Sequence, residues 1–180
     1  MRFDLLKVML VEDNQHMRIL LIEMLRAIGV RHIHEARDGA EALATMRSTY
    51  IDVVLTDLSM SGLDGVEFVN LLRRSPDSPN PFCPIVMITG HSTERRVREA
   101  RDAGVNEFLA KPITARGLVH RLTLLIENPR PFIRTADYFG PDRRRRDDPR
   151  YRGPRRRAED SERVYLDEAD LERGHPTRRL

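Results

Sequence analysis

The feature that most constrains this chain is an alternation, repeated five times, of a short apolar run with an amphipathic segment. Lys7-Val8-Met9-Leu10-Val11 is the first run, too short for a helix and rich in strand formers. Met17, Leu20, Leu21, Met24, Leu25 and Ile28 then follow the spacing of one helix face, and Gly29 stands where a helix would stop. His32 to Ala36 alternates weakly as a strand, and residues 38–48 read as a helix offering Ala40, Leu43, Ala44 and Met46 for burial. Val53-Val54-Leu55-Thr56 is the strongest strand, followed by a Ser/Gly loop and a helix carrying Val66, Val69 and Leu72. Prolines 76, 79, 81 and 84 mark the next loop, before Ile85-Val86-Met87-Ile88-Thr89. The helix over 92–103 is weakly apolar, with Val97, Ala100 and Ala103. Glu107-Phe108-Leu109 is a fifth strand, and a last helix over about 114–127 carries Leu118, Leu122, Leu125 and Ile126.

Strands this apolar, separated by amphipathic helices, predict an α/β fold: a parallel sheet covered on both faces. Right-handed crossovers restrict the arrangement further, and the ligand crevice of such open sheets lies beyond the carboxyl ends of the strands. No apolar run approaches the ~20 residues of a membrane span. The acids after the first run argue against a signal peptide, and a single cysteine, Cys83, excludes an internal disulfide framework and a multi-cysteine zinc site. A cytoplasmic protein is the expectation.

Charge divides the 180 residues in two. Residues 1–127 hold 2 Lys and 14 Arg against 17 acids, a net of −1. Residues 128–180 hold 15 Arg and 11 acids, a net of +4, with no Lys. The body is long enough for a core. The tail, rich in Pro, Arg, Asp and Gly, has too few apolar groups to offset the entropy of ordering and is expected to be disordered. It shows no periodicity of a DNA-binding output domain.

Polar residues gather where strands end: Glu12 and Asp13 after the first, Asp57 after the third, Thr89 closing the fourth, Lys111 after the fifth. Singly each has an ordinary explanation, as a helix cap, a strand threonine or a solvated lysine. Together they fall on one edge of the sheet. Clustered carboxylates repel unless a cation compensates, and all-oxygen ligation with a watery shell suits Mg²⁺. A carboxylate is also a nucleophile able to carry a phosphoryl group. Phosphoryl transfer asks mainly for positioning and charge neutralisation, which Lys111 and the Thr89 hydroxyl would assist.

The motifs Val11-Glu12-Asp13, Leu55-Thr56-Asp57-Leu58, Ile88-Thr89-Gly90 and Leu109-Ala110-Lys111-Pro112, in this order and spacing over residues 6–127, resemble the receiver domain of two-component response regulators. The resemblance implies a five-stranded parallel sheet of order 2-1-3-4-5 flanked by five helices, a non-enzymatic switch, and Asp57 as acceptor of phosphate. The donor would be a phosphohistidine on a sensor histidine kinase or phosphotransfer protein. It further implies Asp13 as a direct Mg²⁺ ligand, Glu12 holding metal-bound water, Asp57 as a second ligand and the Ser59 backbone carbonyl as a third. Thr89 matches the switch hydroxyl, Gly90 the small residue beside the phosphate, Lys111 the ion-pairing lysine with Pro112 its neighbour, and Phe108 the aromatic that turns inward. Gly65 matches the glycine of the loop after the acceptor strand. Ser59 and His91 match positions that modulate dephosphorylation. Ser61 stands where the family usually has Pro, a departure expected to loosen the turn without touching the chemistry.

The reading is a single-domain receiver over 1–127 with an Arg/Pro-rich extension over 128–180, monomeric or dimerising on phosphorylation. It would bind an unidentified downstream protein through its fourth helix, fifth strand and fifth helix. Within the extension, residues 130–157 carry 11 Arg and 4 Asp, and residues 158–180 carry 4 Arg and 7 acids. Tyr138 to Asp142 reads as a turn with exposed aromatics, and Ser161 to Arg173 as a short helix. The arginine clusters open an alternative, a phospho-switched regulator that binds nucleic acid or another polyanion. A phosphohydrolase with a nucleophilic Asp is disfavoured because Ser59 replaces the second Asp such enzymes use. Nucleotide binding is disfavoured because no Gly-rich loop follows the first strand.

Overall fold

The computed structural model describes residues 3–90, 93–143 and the strand 162–164. The elements run β1 (Lys7–Val11), α1 (Gln15–Ala27), β2 (His32–Ala36), α2 (Gly39–Ser48), β3 (Val53–Asp57), α3 (Gly65–Arg74), β4 (Ile85–Thr89), α4 (Glu94–Ala103), β5 (Glu107–Ala110) and α5 (Ala115–Glu127). All five strands are parallel, in the order β2-β1-β3-β4-β5. The α/β class and the strand order expected from the sequence are therefore present.

Alternation along each strand sends side chains to opposite faces. Met9, Val54 and Met87 join α2, α3 and α4 in one core, around the fully buried Phe68. Val8, Leu10, Leu55, Val86 and Ile88 join α1 and α5 in the other, against Leu21, Leu25, Leu118 and Leu122. Every residue of β3 and β4 is buried, which is why those runs read as continuously apolar. Each fully buried large side chain contributes about 1.5–3 kcal/mol. Among the described residues no helix is long and apolar enough to cross a membrane.

Helix starts are fixed by side-chain caps. Asn14, Asp38, Asp64, Thr93 and Thr114 each accept from backbone N–H groups of the first turn, and Asp64 with Glu67 forms a capping box. Because Asn14 is the cap of α1, Asp13 is left for other partners. Two helix faces differ from the periodicity reading. In α1 Ile22 is buried while Leu20 is 52% exposed. In α2 Ala42 faces the core and Ala40 and Ala44 do not, because Gly39 packs so tightly on Phe68 that a Cβ there would meet its Cβ at 2.6 Å.

The expectation of a disordered extension from residue 128 is corrected for its first part. β6 (Phe132–Arg134) and β7 (Phe139–Pro141) form an antiparallel hairpin, with β8 (Glu162–Val164) on the other edge of β6. Tyr138 and Phe139, expected to be exposed, are buried, as are Phe132 and Ile133. Residues 162–164 pair as strand, not helix. The hairpin builds no core of its own: it lays its few aromatics on a surface the domain already offers, where the Phe82, Phe132 and Phe139 rings lie 5.2–5.6 Å apart. Burial of those aromatics on the domain offsets the cost of ordering residues 130–143. The arginine runs at 143–146 and 155–157 lie, beyond Arg143, outside the described residues.

Candidate functional site

The sheet register sets the site. Val11 lies beside Thr56, Asp57 beside Ile88, and Thr89 beside Ala110. The turns that follow those strands therefore meet on one edge. Glu12, Asp13, Asp57, Ser59 and Lys111 line one open cleft there, with Asn14, His16, Met17 and Leu20 from the start of α1.

Asp57 ends β3 and is only 7% exposed. Its Oδ1 accepts from the Leu58 N–H at 2.9 Å, and its Oδ2 accepts from Lys111 Nζ at 3.2 Å. Leu58 is itself pinned, since its N–H reaches the Ile88 carbonyl at 2.9 Å. Lys111 is positioned through its own backbone, which donates to the Thr89 carbonyl at 2.7 Å; the Lys111–Pro112 peptide is cis. The fourth and fifth strands thus deliver one cation to a carboxylate on the third.

Glu12 is almost fully buried. Its Oε1 accepts from the Asn14 N–H at 3.1 Å. Its Oε2 is buried without a hydrogen-bond partner among the described residues, with Lys111 Nζ 3.5 Å away. Burial, and secondarily the negative charge of Asp57, raises the Glu12 carboxyl above the ordinary glutamate range. Asp13 is the opposite case. It is exposed, and its Oδ2 accepts from both the Ser61 N–H at 2.8 Å and the Ser61 hydroxyl at 3.0 Å. The Ser61 N–H, more than any other partner, lowers its carboxyl below the usual aspartate range. The expectation that Ser61 touches no chemistry is thereby corrected: a proline at 61 has no N–H to donate.

Thr89 is buried, and Phe108 on β5 is half-buried against the core of α2, α3 and α4. A Cβ on Gly90 would meet only Lys111 Cδ, at 3.8 Å, so no protein contact demands glycine there. Gly65 is different: a Cβ there would stand 2.2 Å from the Asp57 carbonyl oxygen. His91 lies outside the described residues. Sequence reasoning missed the Leu58 N–H, the Asn14 N–H and Ser61; the last was legible only as a departure from a motif.

Among the described residues no three acidic or imidazole side chains converge closely enough to hold a metal as they stand. The donor chemistry fits a hard divalent cation nonetheless. Glu12 offers a buried oxygen without a hydrogen bond, Asp57 stands beside it, and Asp13 lines the same cleft. Mg²⁺ is commonly held by one or two carboxylates and several waters, not by a closed cage.

A parallel five-stranded sheet whose carboxyl edge carries two buried acids, an exposed acid and a paired lysine fits the receiver class that the sequence motifs resemble. The comparisons agree: the response regulator receiver domain family matches residues 8–123, and the chain belongs to that family. Chemotaxis protein CheY-3 of Vibrio cholerae is 33% identical over 122 residues, 68% of this chain and 92% of that protein. Chemotaxis protein CheY of Pseudomonas aeruginosa is 31% identical over 122 residues, covering 68% and 97%. The solved structure of Vibrio cholerae CheY4 superposes with a TM-score of 0.60 at 30% identity, over 66% of this chain and 96% of that one. Receiver domains of two-component signalling are, as a class, switches rather than enzymes, and they generally bind Mg²⁺ at the acidic site.

Proposed function

We propose that this protein is a phosphorylation-dependent switch in which Asp57 takes a phosphoryl group from the phosphohistidine of a sensor kinase or phosphotransfer protein. The observation that carries the reading is the buried Asp57 carboxylate held between the Leu58 N–H and Lys111 Nζ. One Asp57 oxygen attacks phosphorus as the bond to the donor imidazole nitrogen breaks, and that nitrogen leaves with the electron pair. Lys111, already within 3.5 Å of both Asp57 and Glu12, balances the charge that arrives. Asp13, Asp57 and the Ser59 carbonyl would hold Mg²⁺ directly and Glu12 would hold its water; the ion supplies neutralisation of the phosphoryl oxygens.

The added group brings about 1.5–2 negative charges and three acceptor oxygens. The phosphoryl group then draws the Thr89 hydroxyl toward it, and Phe108 gains room to turn inward. The face built by α4, β5 and α5 changes accordingly, and with it the affinity for a downstream protein in the cytoplasm. Ser59 and His91 set how long the phosphate lasts. The alternative of a polyanion-binding extension draws no support from the described arginines. Arg130, Arg134 and Arg143 all make contacts within the chain.

The test is labelling by a phosphohistidine donor, or by acetyl phosphate, in Mg²⁺. The wild type takes one phosphoryl group; Asp57→Ala takes none and keeps its circular dichroism spectrum. Undiminished labelling of a folded Asp57→Ala protein refutes the assignment.

A further inference from the structure

The hairpin of β6 and β7 is a packed feature that the switch chemistry does not use. Its Thr135 N–H closes the turn on the Tyr138 carbonyl at 2.8 Å. Arg130 leads into it and reaches back to the carbonyl oxygens of Asn106 and Asp142, with Glu107 3.5 Å away. Phe132 lies against the Arg73 guanidinium, 5.1 Å from centroid to carbon. Arg73 is 3% exposed, and its nitrogens donate to the Gly104 carbonyl at 3.1 Å, the Pro81 carbonyl at 2.7 Å and Asn106 Oδ1 at 3.0 Å. The hairpin thus roofs a buried cation whose acceptors include the cap at the end of α4.

Two further contacts join the hairpin to α4 itself. Gly140 lies on Gly104, the left-handed C-cap with φ 111°; a Cβ at 140 would stand 2.9 Å from Gly104 Cα. Arg143, stacked 4.4 Å from the Tyr138 ring, pairs with Asp102 of α4. α4 buries only Ala100 and Ala103 of its ten residues. Its first turns are tied to α3 through Arg96 and Asp64 at 2.7 Å. So little burial leaves such a helix easy to displace unless its ends are held.

We propose that residues 130–143 are an intramolecular brake on α4, opposing the displacement of that helix when Asp57 is phosphorylated. This rests on the receiver reading above. The docked hairpin accompanies the arrangement in which Lys111 pairs directly with Asp57 and Phe108 stays half-exposed. Gly140 and Gly104 leave no room between them, so backbone blocks a shift of α4 toward the hairpin and a shift away opens the contact. Linkage makes the relation reciprocal in direction: phosphorylation loosens the hairpin, and loosening the hairpin favours the phosphorylated conformation.

The experiment uses the full chain with Mg²⁺ and acetyl phosphate, and reads amide hydrogen exchange over residues 132–141 by mass spectrometry. Phosphorylation of the wild type is expected to speed exchange there by about five-fold or more, the lower end of ordinary coupling. Gly140→Ala, which forces the two backbones apart, is expected to raise the phosphorylated fraction at sub-saturating acetyl phosphate by a similar factor. Asp102→Ala releases Arg143 from the helix side and acts in the same direction; it decides the matter if Gly140→Ala fails to fold. Phosphorylated protein with unchanged or slower exchange overturns the brake and leaves the receiver reading intact. A folded wild type that takes no phosphoryl group overturns both.

Discussion

Gly65→Ala separates helix propensity from packing at the acceptor, because the two predict opposite signs. Gly65 opens α3 and is not among the glycines with positive φ. On propensity alone, alanine in a helix is favoured by up to about 1 kcal/mol. The structure reverses that sign. The new Cβ would lie 2.2 Å from the Asp57 carbonyl oxygen, 3.1 Å from Leu58 Cα and 3.2 Å from the Asp57 carbonyl carbon. All three are backbone atoms, so no side-chain rotation relieves the overlap. Relief needs a separation of roughly 1 Å between α3 and the end of β3, and overpacking of this kind costs about 1–3 kcal/mol. After the propensity gain the net loss is about 0–2 kcal/mol, or up to roughly 8 °C in Tm for a chain of this size. The displaced atoms belong to Asp57, the proposed phosphoacceptor, and a misplacement near 1 Å can lower a rate about 100-fold. Calorimetry and the initial rate of labelling by acetyl phosphate read both effects. A Gly65→Ala protein as stable as the wild type and labelled as fast would refute the argument that this glycine makes room for Asp57.

Three further outcomes follow from the same geometry. Glu12→Gln, measured in chelator, is expected to stabilise the fold at neutral pH. Burial raises the Glu12 carboxyl in the folded state, so its ionisation lowers stability progressively as pH climbs from the unfolded value of about 4.5 through the folded one; urea titrations at pH 4 and pH 7 should show the variant's advantage only at the higher pH. Ser61→Pro removes both donors to Asp13, whose carboxyl should rise toward the ordinary aspartate range in a carbon-13 titration. The lowered value contributes stability present above the unfolded pKa and lost as pH falls through the folded one, so the variant's acid limb should be shallower. Arg73→Leu leaves the Gly104 and Pro81 carbonyls without their side-chain donor, while Asn106 Oδ1 keeps the Ile85 N–H, and should cost about 2–4 kcal/mol in denaturant unfolding; an unaltered midpoint would show that water satisfies the two carbonyls.

The fold was legible because its signal is redundant. Five apolar runs, five amphipathic segments and the parallel-sheet rules agree with one another, so taking Ala40 and Ala44 in place of Ala42 for the buried face of α2 did not alter the topology. The gathering of polar residues on one sheet edge was legible for a related reason. Glu12, Asp57, Thr89 and Lys111 follow strand ends, and a parallel sheet with one polarity brings all its strand ends to one side. What escaped was backbone chemistry. The Leu58 and Ser61 N–H groups carry no residue-type signature, yet one orients Asp57 and the other sets the ionisation of Asp13.

The extension escaped for a different reason, and Arg73 shows why. Composition predicts disorder by asking whether a segment can bury enough apolar surface within itself. Residues 130–143 cannot. But the domain presents a buried guanidinium satisfied by two carbonyls and an amide oxygen, with no acidic partner among those three bonds, and with Phe82 half-exposed beside it. Beneath the hairpin that cation is buried, and burial pushes its pKa down to about 10. Phe132 covers the charge with a ring face and Phe139 completes the aromatic cluster. The hairpin folds because the surface beneath it is incomplete without it. The same fact places it against α4, which buries only two alanines of its own, where the loss or gain of a few contacts readily shifts a two-state balance.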